Sequence, residues 1–463
     1  MPDHPIPRRI PGRPVTAHVA MAHVAALAGA LLLGAPAPIA RAAPARQAPP
    51  ACTWVRLTTG EPRMQHAMAG QPGVGALLFG GADPEAETVT DDVWRLDLTR
   101  EPGGTWTRLA PAPGGTGPGP RAEHSAVLRA PEPGFPAELV TFGGIDTVPA
   151  GGTSTWRSPL VGGGYAPGAG AVRHAIPGSR LGAFAAVTVT GTTFRLRADA
   201  EAAAWLAVGA EGGPALTDHG AVYAPDSDAM VVFGGRTGEA ADTASGRVWR
   251  LDLASGAWEG RDIQGGPGPR FAHSAVYDGA ARRMVVFGGT RDWVTALDDV
   301  WALDLAGGWG AAAWARLDPA GLAPEPRYDH GAVYLPHLRW MLVYGGSLDG
   351  KNEVDTLYAL DLGAAPPRWI EIQPPGKRPE AVKGLAAAYD AATNTAVFHG
   401  GTKGAETTRT TWGLRCGDGT SPTAFPTGSG TPTGGATATT PGPNTATPPP
   451  GGVYLPRLLR AEP

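Results

Sequence analysis

The feature that most constrains this chain is that it repeats itself. "PRAEHSAVL" (120–128), "PRFAHSAVY" (269–277) and "PRYDHGAVY" (326–334) are one pattern, with looser copies in "PRMQHAMAG" (62–70) and "TDHGAVY" (217–223). His66, His124, His219, His273 and His330 hold the same place in it, and Leu385 stands there in the last copy, "GLAAAYD". Between 14 and 19 residues later an apolar stretch ends in Gly-Gly: "LLFGG", "VTFGG", "VVFGG", "VVFGG", "LVYGG" and "VFHGG". An aromatic-centred strand follows, as in "DDVWRLDL" (91–98) and "DDVWALDL" (298–305), and after a short turn a second tryptophan, at Trp106, Trp258, Trp314 and Trp369. Each unit therefore supplies four short strands at a period of roughly 55 residues. A single four-stranded unit cannot bury both its faces, whereas a ring of them can; this is the sequence signature of a β-propeller, with the Trp pairs expected between blades.

Composition agrees. Of 463 residues, 68 are glycine and 48 proline, and 17% are charged, which favours short strands and many turns over long helices. The first 42 residues read as an export signal: Arg8, Arg9 and Arg13, an apolar run from Val24 to Leu33, and an A-x-A cleavage site at Ala40-Arg41-Ala42. That run is short and interrupted by glycine, and no other segment is apolar enough to span a bilayer. Without it the net charge is −7, which offers nothing to nucleic acid. The expected organisation is signal 1–42, linker 43–51, propeller 52–416, an extended Thr/Pro/Gly-rich spacer 417–452, and a short tail 453–463 that is either a sorting device or chance composition.

The order PRxxH, hydrophobic-Gly-Gly, aromatic strand, Trp resembles the kelch repeat, and the resemblance covers residues 52–416. It implies an all-β, kelch-type propeller of six to seven four-stranded blades, one of them degenerate. The count turns on one irregular stretch. From Gly144 to His219 there are 75 residues, where other units use 38 to 43. Trp156 holds the usual third-strand position, yet Phe194 and Trp205 also have third-to-fourth strand spacing, and "SRLGAFAAVTV" (179–189) mimics a first strand. Either a worn seventh blade or an insertion in a six-bladed ring explains this, and the spacing leans to seven.

The last unit ends at "TWGLRC" (411–416) with no fourth strand after it, while "CTWVRL" (52–57) precedes the first. The N-terminal segment is thus expected to complete the last blade and close the ring. Aligned on the intact repeat, Cys52 and Cys416 flank one hairpin, so they are expected either to form a disulfide or to lie near one another as free thiols. As a crosslink over most of the chain, the bond would contribute roughly 5 kcal/mol at most.

Candidate chemistry is sparse. One histidine per blade suits a structural role, as kelch histidines usually have, and no metal or cofactor is expected. The Gly-Gly pairs are not followed by a helix signal and no GxxxxGK[ST] occurs, so they do not form a phosphate cradle. Arg63, Arg121, Arg270 and Arg327, with Arg180 as a further copy, precede first strands. They gather at one mouth of the channel, either to bind a carboxylate or sulfate or to brace loop carbonyls. The connections after Gly-Gly emerge on that same face and are long and varied. Trp293 lies in one of them, either to meet a sugar or protein or to fold over its own loop.

These features point to an exported, monomeric binding module for an extracellular protein or glycan. The enzymatic alternative is a small-sugar isomerase, similar to kelch-like sialic-acid mutarotases, using an arginine-lined mouth. A galactose-oxidase-like copper enzyme needs a cysteine cross-linked to tyrosine, and both cysteines here are assigned to closure.

Overall fold

The structure is a computed structural model that describes residues 50–83, 88–99, 103–111, 117–129, 137–147, 187–198, 202–208, 213–238 and 243–417. The expected signal, spacer and tail, together with Trp156 and Arg180, lie outside the described residues.

Six four-stranded antiparallel blades form the ring. Blade 1 comprises Ala67–Gln71, Gly75–Phe79, Val93–Asp97 and Thr105–Pro111. Blade 2 comprises Ser125–Arg129, Glu138–Phe142, Thr193–Ala198 and Ala202–Val208. Blades 3, 4 and 5 begin at Gly220, Ser274 and Gly331 and end at Arg261, Leu317 and Ile372. Blade 6 takes Ala386–Asp390, Thr395–His399 and Thr411–Gly417 from the C-terminal end and Ala51–Arg56 from the N-terminal end. Each first strand lies beside the next around the axis, and blade 6 returns to blade 1. The lean to seven blades is corrected here: Phe194 and Trp205 sit in the third and fourth strands of blade 2. Val187–Val189 is no first strand, since it pairs back onto Ile145–Thr147. The extra chain enters and leaves blade 2 through that small ladder, as an insertion after its second strand.

The core lies between blades rather than within them. Second strands are buried on both faces, which is why they read as continuous apolar runs ending in an aromatic. That aromatic meets the fourth-strand tryptophan of the next blade at every seam. Ring centroids are 4.7 Å apart for Phe79–Trp205, 4.6 Å for Phe142–Trp258, 4.8 Å for Phe233–Trp314 and 5.0 Å for Phe287–Trp369. Tyr344–Trp54 at 5.4 Å and His399–Trp106 at 5.1 Å complete the set. The repeated Trp is thus what joins blades, and Trp54 does it for the closing strand.

Closure follows the expected register. Ala51–Arg56 pairs antiparallel with Thr411–Gly417, Cys52 directly opposite Cys416, and the two cysteines are disulfide-bonded.

Two belts of backbone hydrogen bonds tie the blades together on the PRxxH side. In the inner belt the residue before each histidine donates its N–H to the equivalent carbonyl of the preceding blade. The bonds are Glu123 to Gln65 (3.0 Å), Asp218 to Glu123 (3.0 Å), Ala272 to Asp218 (2.8 Å), Asp329 to Ala272 (3.0 Å), Gly384 to Asp329 (2.8 Å) and Gln65 to Gly384 (2.7 Å). The circle has no open end. In the outer belt the second glycine of each Gly-Gly donates to the next blade: Gly81 to Arg121, Gly144 to Leu216, Gly235 to Arg270, Gly289 to Arg327, Gly346 to Val382 and Gly401 to Arg63, all at 2.8–2.9 Å. Glycine is required there. At Gly234 and Gly235 φ is +68° and +85°, and a Cβ would come within 2.5 Å of the Arg270 carbonyl and 2.8 Å of His219 Cβ.

Candidate functional site

Of the two roles the sequence left open to the repeat arginines, the structure has them bracing carbonyls of the scaffold; as ligand candidates at a channel mouth they are corrected. Arg63, Arg121, Arg270 and Arg327 are all buried. Each turns back into its own blade and donates to the carbonyl of the first glycine of Gly-Gly: Gly80 at 2.6 Å, Gly143 at 3.1 Å, Gly288 at 3.0 Å and Gly345 at 3.1 Å. In blades 1 and 4 the second Asp of "DDVW" completes a fork. Arg270 Nη1 and Nη2 reach Asp299 at 2.6 and 2.8 Å, and Arg63 reaches Asp92 at 2.8 and 3.2 Å. The same carboxylates accept the indole N–H of Trp301 and Trp94, each at 2.7 Å. Blade 5 has Thr356 in place of that Asp, and burial holds the Arg327 guanidinium down to about 10.

The histidines wedge into the seams, each ring 5.0 to 5.4 Å from the second-strand aromatic of the preceding blade. Where the residue following the preceding blade's histidine is serine, its hydroxyl meets the imidazole: Ser125–His219 and Ser274–His330, both 2.7 Å. Where it is glycine at Gly331, the next blade carries Leu385 instead of histidine, packed against that glycine. Burial pushes all these imidazoles far below their usual range, to about 3 for His219 and His330, so they are neutral.

The long connections do share the PRxxH face. The residue after each repeat arginine, or its counterpart, bridges the residue after Gly-Gly, for example Met64 to Ala82, Thr217 to Arg236, Phe271 to Thr290, Tyr328 to Ser347 and Lys383 to Thr402. Trp293 is neither offered to solvent nor folded onto its own loop; its indole packs against neighbouring segments. Asp292 Oδ1 accepts the N–H of Val294 (2.9 Å) and Thr295 (2.7 Å), while Thr290 Oγ1 accepts that of Trp293 (3.1 Å). These bonds hold Trp293 at a φ of +63°. Its half-buried indole lies edge-on to Phe271 (4.7 Å) and Tyr328 (5.6 Å), with the Arg236 guanidinium 5.3 Å from the ring centroid, and its carbonyl accepts from Tyr328 Oη at 2.8 Å. The apolar side chain this loop offers to solvent is Val294, 73% exposed.

Inside these loops, on the axis, lies a cavity of about 160 Å³ to which every blade contributes its inner-belt residue and the one after it. The belt residues differ: Gln65, Glu123, Asp218, Ala272, Asp329 and Gly384. All six have positive φ, +51° to +66°, a conformation that costs an ordinary residue roughly 1 kcal/mol. Arg236 spans two of them, with Nη2 3.0 Å from Glu123 and Nε 2.7 Å from Asp218. Lys383 Nζ is bound to Glu353 (3.3 Å) and the Gly350 carbonyl (2.5 Å). Asp329 Oδ2 and both amide atoms of Gln65 are buried without a hydrogen-bond partner. Burial pushes the Asp329 carboxyl up to about 7, against the pull of Lys383.

The ring and its cavity define a six-bladed β-propeller whose variable residues are collected on one face. A family model described as the KLHDC2/KLHL20/DRC7 Kelch-repeats domain matches residues 188–309. Putative adagio-like protein 2 of Oryza sativa subsp. japonica is 30% identical over 247 residues, covering 50% of this chain and 38% of that protein. Host cell factor 2 of Homo sapiens is 27% identical over 266 residues, covering 51% and 32%. The chain thus spans only about a third of the length of these curated relatives. Among solved structures, one titled "Structure of YjhT" matches 77% of this chain and 95% of its own with a TM-score of 0.52 at 13% identity, a likeness of fold alone. The chain is a six-bladed β-propeller, and residues 188–309 carry the kelch-repeat match.

Proposed function

We propose that the chain is exported and acts as a binding module, taking a protein or a glycan on the face where the post-Gly-Gly loops surround the axial cavity. The observation that carries this reading is the contrast between the two parts of each repeat. Gly-Gly and the fourth-strand Trp serve the scaffold in every blade, the histidine in five and the arginine in four, while loops and belt residues differ and are held in fixed geometry. A preorganised rim loses little freedom on binding, and Val294 gives it an apolar tip. The disulfide suits an oxidising compartment. The isomerase alternative leaned on the repeat arginines, which are bonded into their own blades and give it no support.

Retention of proteins from culture medium and a glycan array test this reading, with Val294→Asp on the rim and Arg282→Glu in an exposed turn between the first and second strands of blade 4. The rim variant should lose retention at least tenfold and the turn variant should not. The reverse pattern, or no ligand for the parent chain in either assay, overturns it. Export is checked by N-terminal sequencing of material from the medium, expected to begin after Ala42; retention in the cytosol refutes that part.

A further inference from the structure

We infer that the axial cavity is a socket for an organic cation that donates hydrogen bonds, a guanidinium or alkylammonium head. Its size, about 160 Å³, is close to the roughly 150 Å³ that holds a benzene-sized guest. Its lining disfavours an apolar one, since Glu123, Asp218, Asp329 and Gln65 are among the residues that form it. An anion is disfavoured because both nearby cations are already engaged, Arg236 by Glu123 and Asp218 and Lys383 by Glu353.

What is left unmet is two acceptors, Asp329 Oδ2 and Gln65 Oε1, beside one amide donor, Gln65 Nε2. Asp329 Oδ2 receives no hydrogen bond although it is buried, and Gln65, only 8% exposed, has its Oε1 and Nε2 both without partners. Native structures rarely leave such atoms bare, because a desolvated polar atom without a partner has lost its hydrogen bonds to water with nothing in return. Among the described residues no group of three or more His, Cys, Asp or Glu is arranged to hold a metal ion, so a point charge is poorly served. A head with several N–H donors spread over a few ångströms can meet Asp329 and Gln65 together. The inner belt adds the preorganisation: both side chains stand on a backbone locked at positive φ and tied into the closed circle, so the guest does not have to order that backbone. The head can belong to a free small molecule or to an arginine or lysine side chain of a protein. The socket holds whichever macromolecule docks on the rim, and it can stand or fall separately from that docking.

Isothermal titration of the folded chain at pH 8 distinguishes these cases. The probes are methylguanidinium and an end-blocked Gly-Arg-Gly peptide, each beside its neutral isostere, methylurea and the citrulline peptide. At least one cation should bind saturably, at least tenfold more tightly than its isostere. Asp329→Asn should weaken it at least tenfold, and Gln65→Met, which leaves the backbone belt intact, several-fold. Methylguanidinium alone binding assigns the socket to free small cations, the peptide alone to a protein side chain, and both outcomes uphold it. No saturable binding of either cation, equal binding of the isosteres, or parent-like binding by both variants with native near-ultraviolet circular dichroism overturns it. If Asp329→Asn does not fold, Gln65→Met carries the test.

Discussion

At the scale of single residues, the same side chain does the same work in several blades, so one blade can be used to judge another. Arg270 is the clearest brace: fully buried, it holds Gly288 and Asp299 at once. Arg270→Ala strands both acceptors and should cost about 3 kcal/mol in denaturant unfolding, whereas Arg270→Lys, which cannot form the fork, should recover only part. An unchanged midpoint would show the fork to be dispensable. The serine–histidine pairs allow a gain to be designed. Ala386 of blade 6 occupies the place from which Ser125 and Ser274 reach the next histidine, and His66, its counterpart, has no partner for either ring nitrogen. Ala386→Ser should stabilise the ring by about 0.5–1.5 kcal/mol, seen as a raised midpoint at constant m-value; a lowered midpoint would mean that the seam has no room for the hydroxyl.

At the scale of elements, much was legible because the signals are local. Four strands per unit, the seam tryptophans and the completing N-terminal strand all follow from spacing within one repeat. The destination of the arginines was not, since a long side chain ahead of a first strand can swing to the axis or back to its own blade. Only the position of the Gly-Gly carbonyl decides between them. The inner belt was also hidden. Its signature is positive φ at five residues of four types besides glycine, and a reading that aligns repeats discards the positions where they disagree. Those positions form the cavity, so the candidate site was lost to the procedure that found the fold. The irregular stretch misled for a related reason: Trp156 has the right spacing, but the third strand of blade 2 is supplied later, by Phe194 and its neighbours. Because Thr147 and Val187 are register partners in an antiparallel ladder, the chain between them can be replaced by a two-residue turn. The shortened protein should fold with a melting temperature within a few degrees of the parent. A collapse of the transition would make the excised residues part of the fold.

At the scale of the whole molecule, the repeated histidines add up. Five repeat histidines and His399 are buried and neutral, with His219, His330 and His399 at about 3. An unfolded chain takes up protons on them near 6.5 and the folded chain does not, so the unfolded state binds more protons below that pH. Their stabilisation is complete above about 6.5 and declines as the pH falls, by up to roughly 1.4 kcal/mol per pH unit for each. Asp329 acts in the other sense, holding a proton in the fold between about 4 and 7 that the unfolded chain has lost, but it is one group against six. Urea midpoints should therefore drop steeply from pH 6.5 to pH 4.5, and a flat profile would contradict the neutral assignment.

The closing strand has one more effect. Ala51 and Gly417 are opposite each other where the two outer strands of the sixth blade end, away from the Gly-Gly loops, with the crosslink one residue further in. Whatever precedes and follows the ring departs from a single spot on its perimeter. Two fusion partners placed at these two points would meet each other before either met the rim.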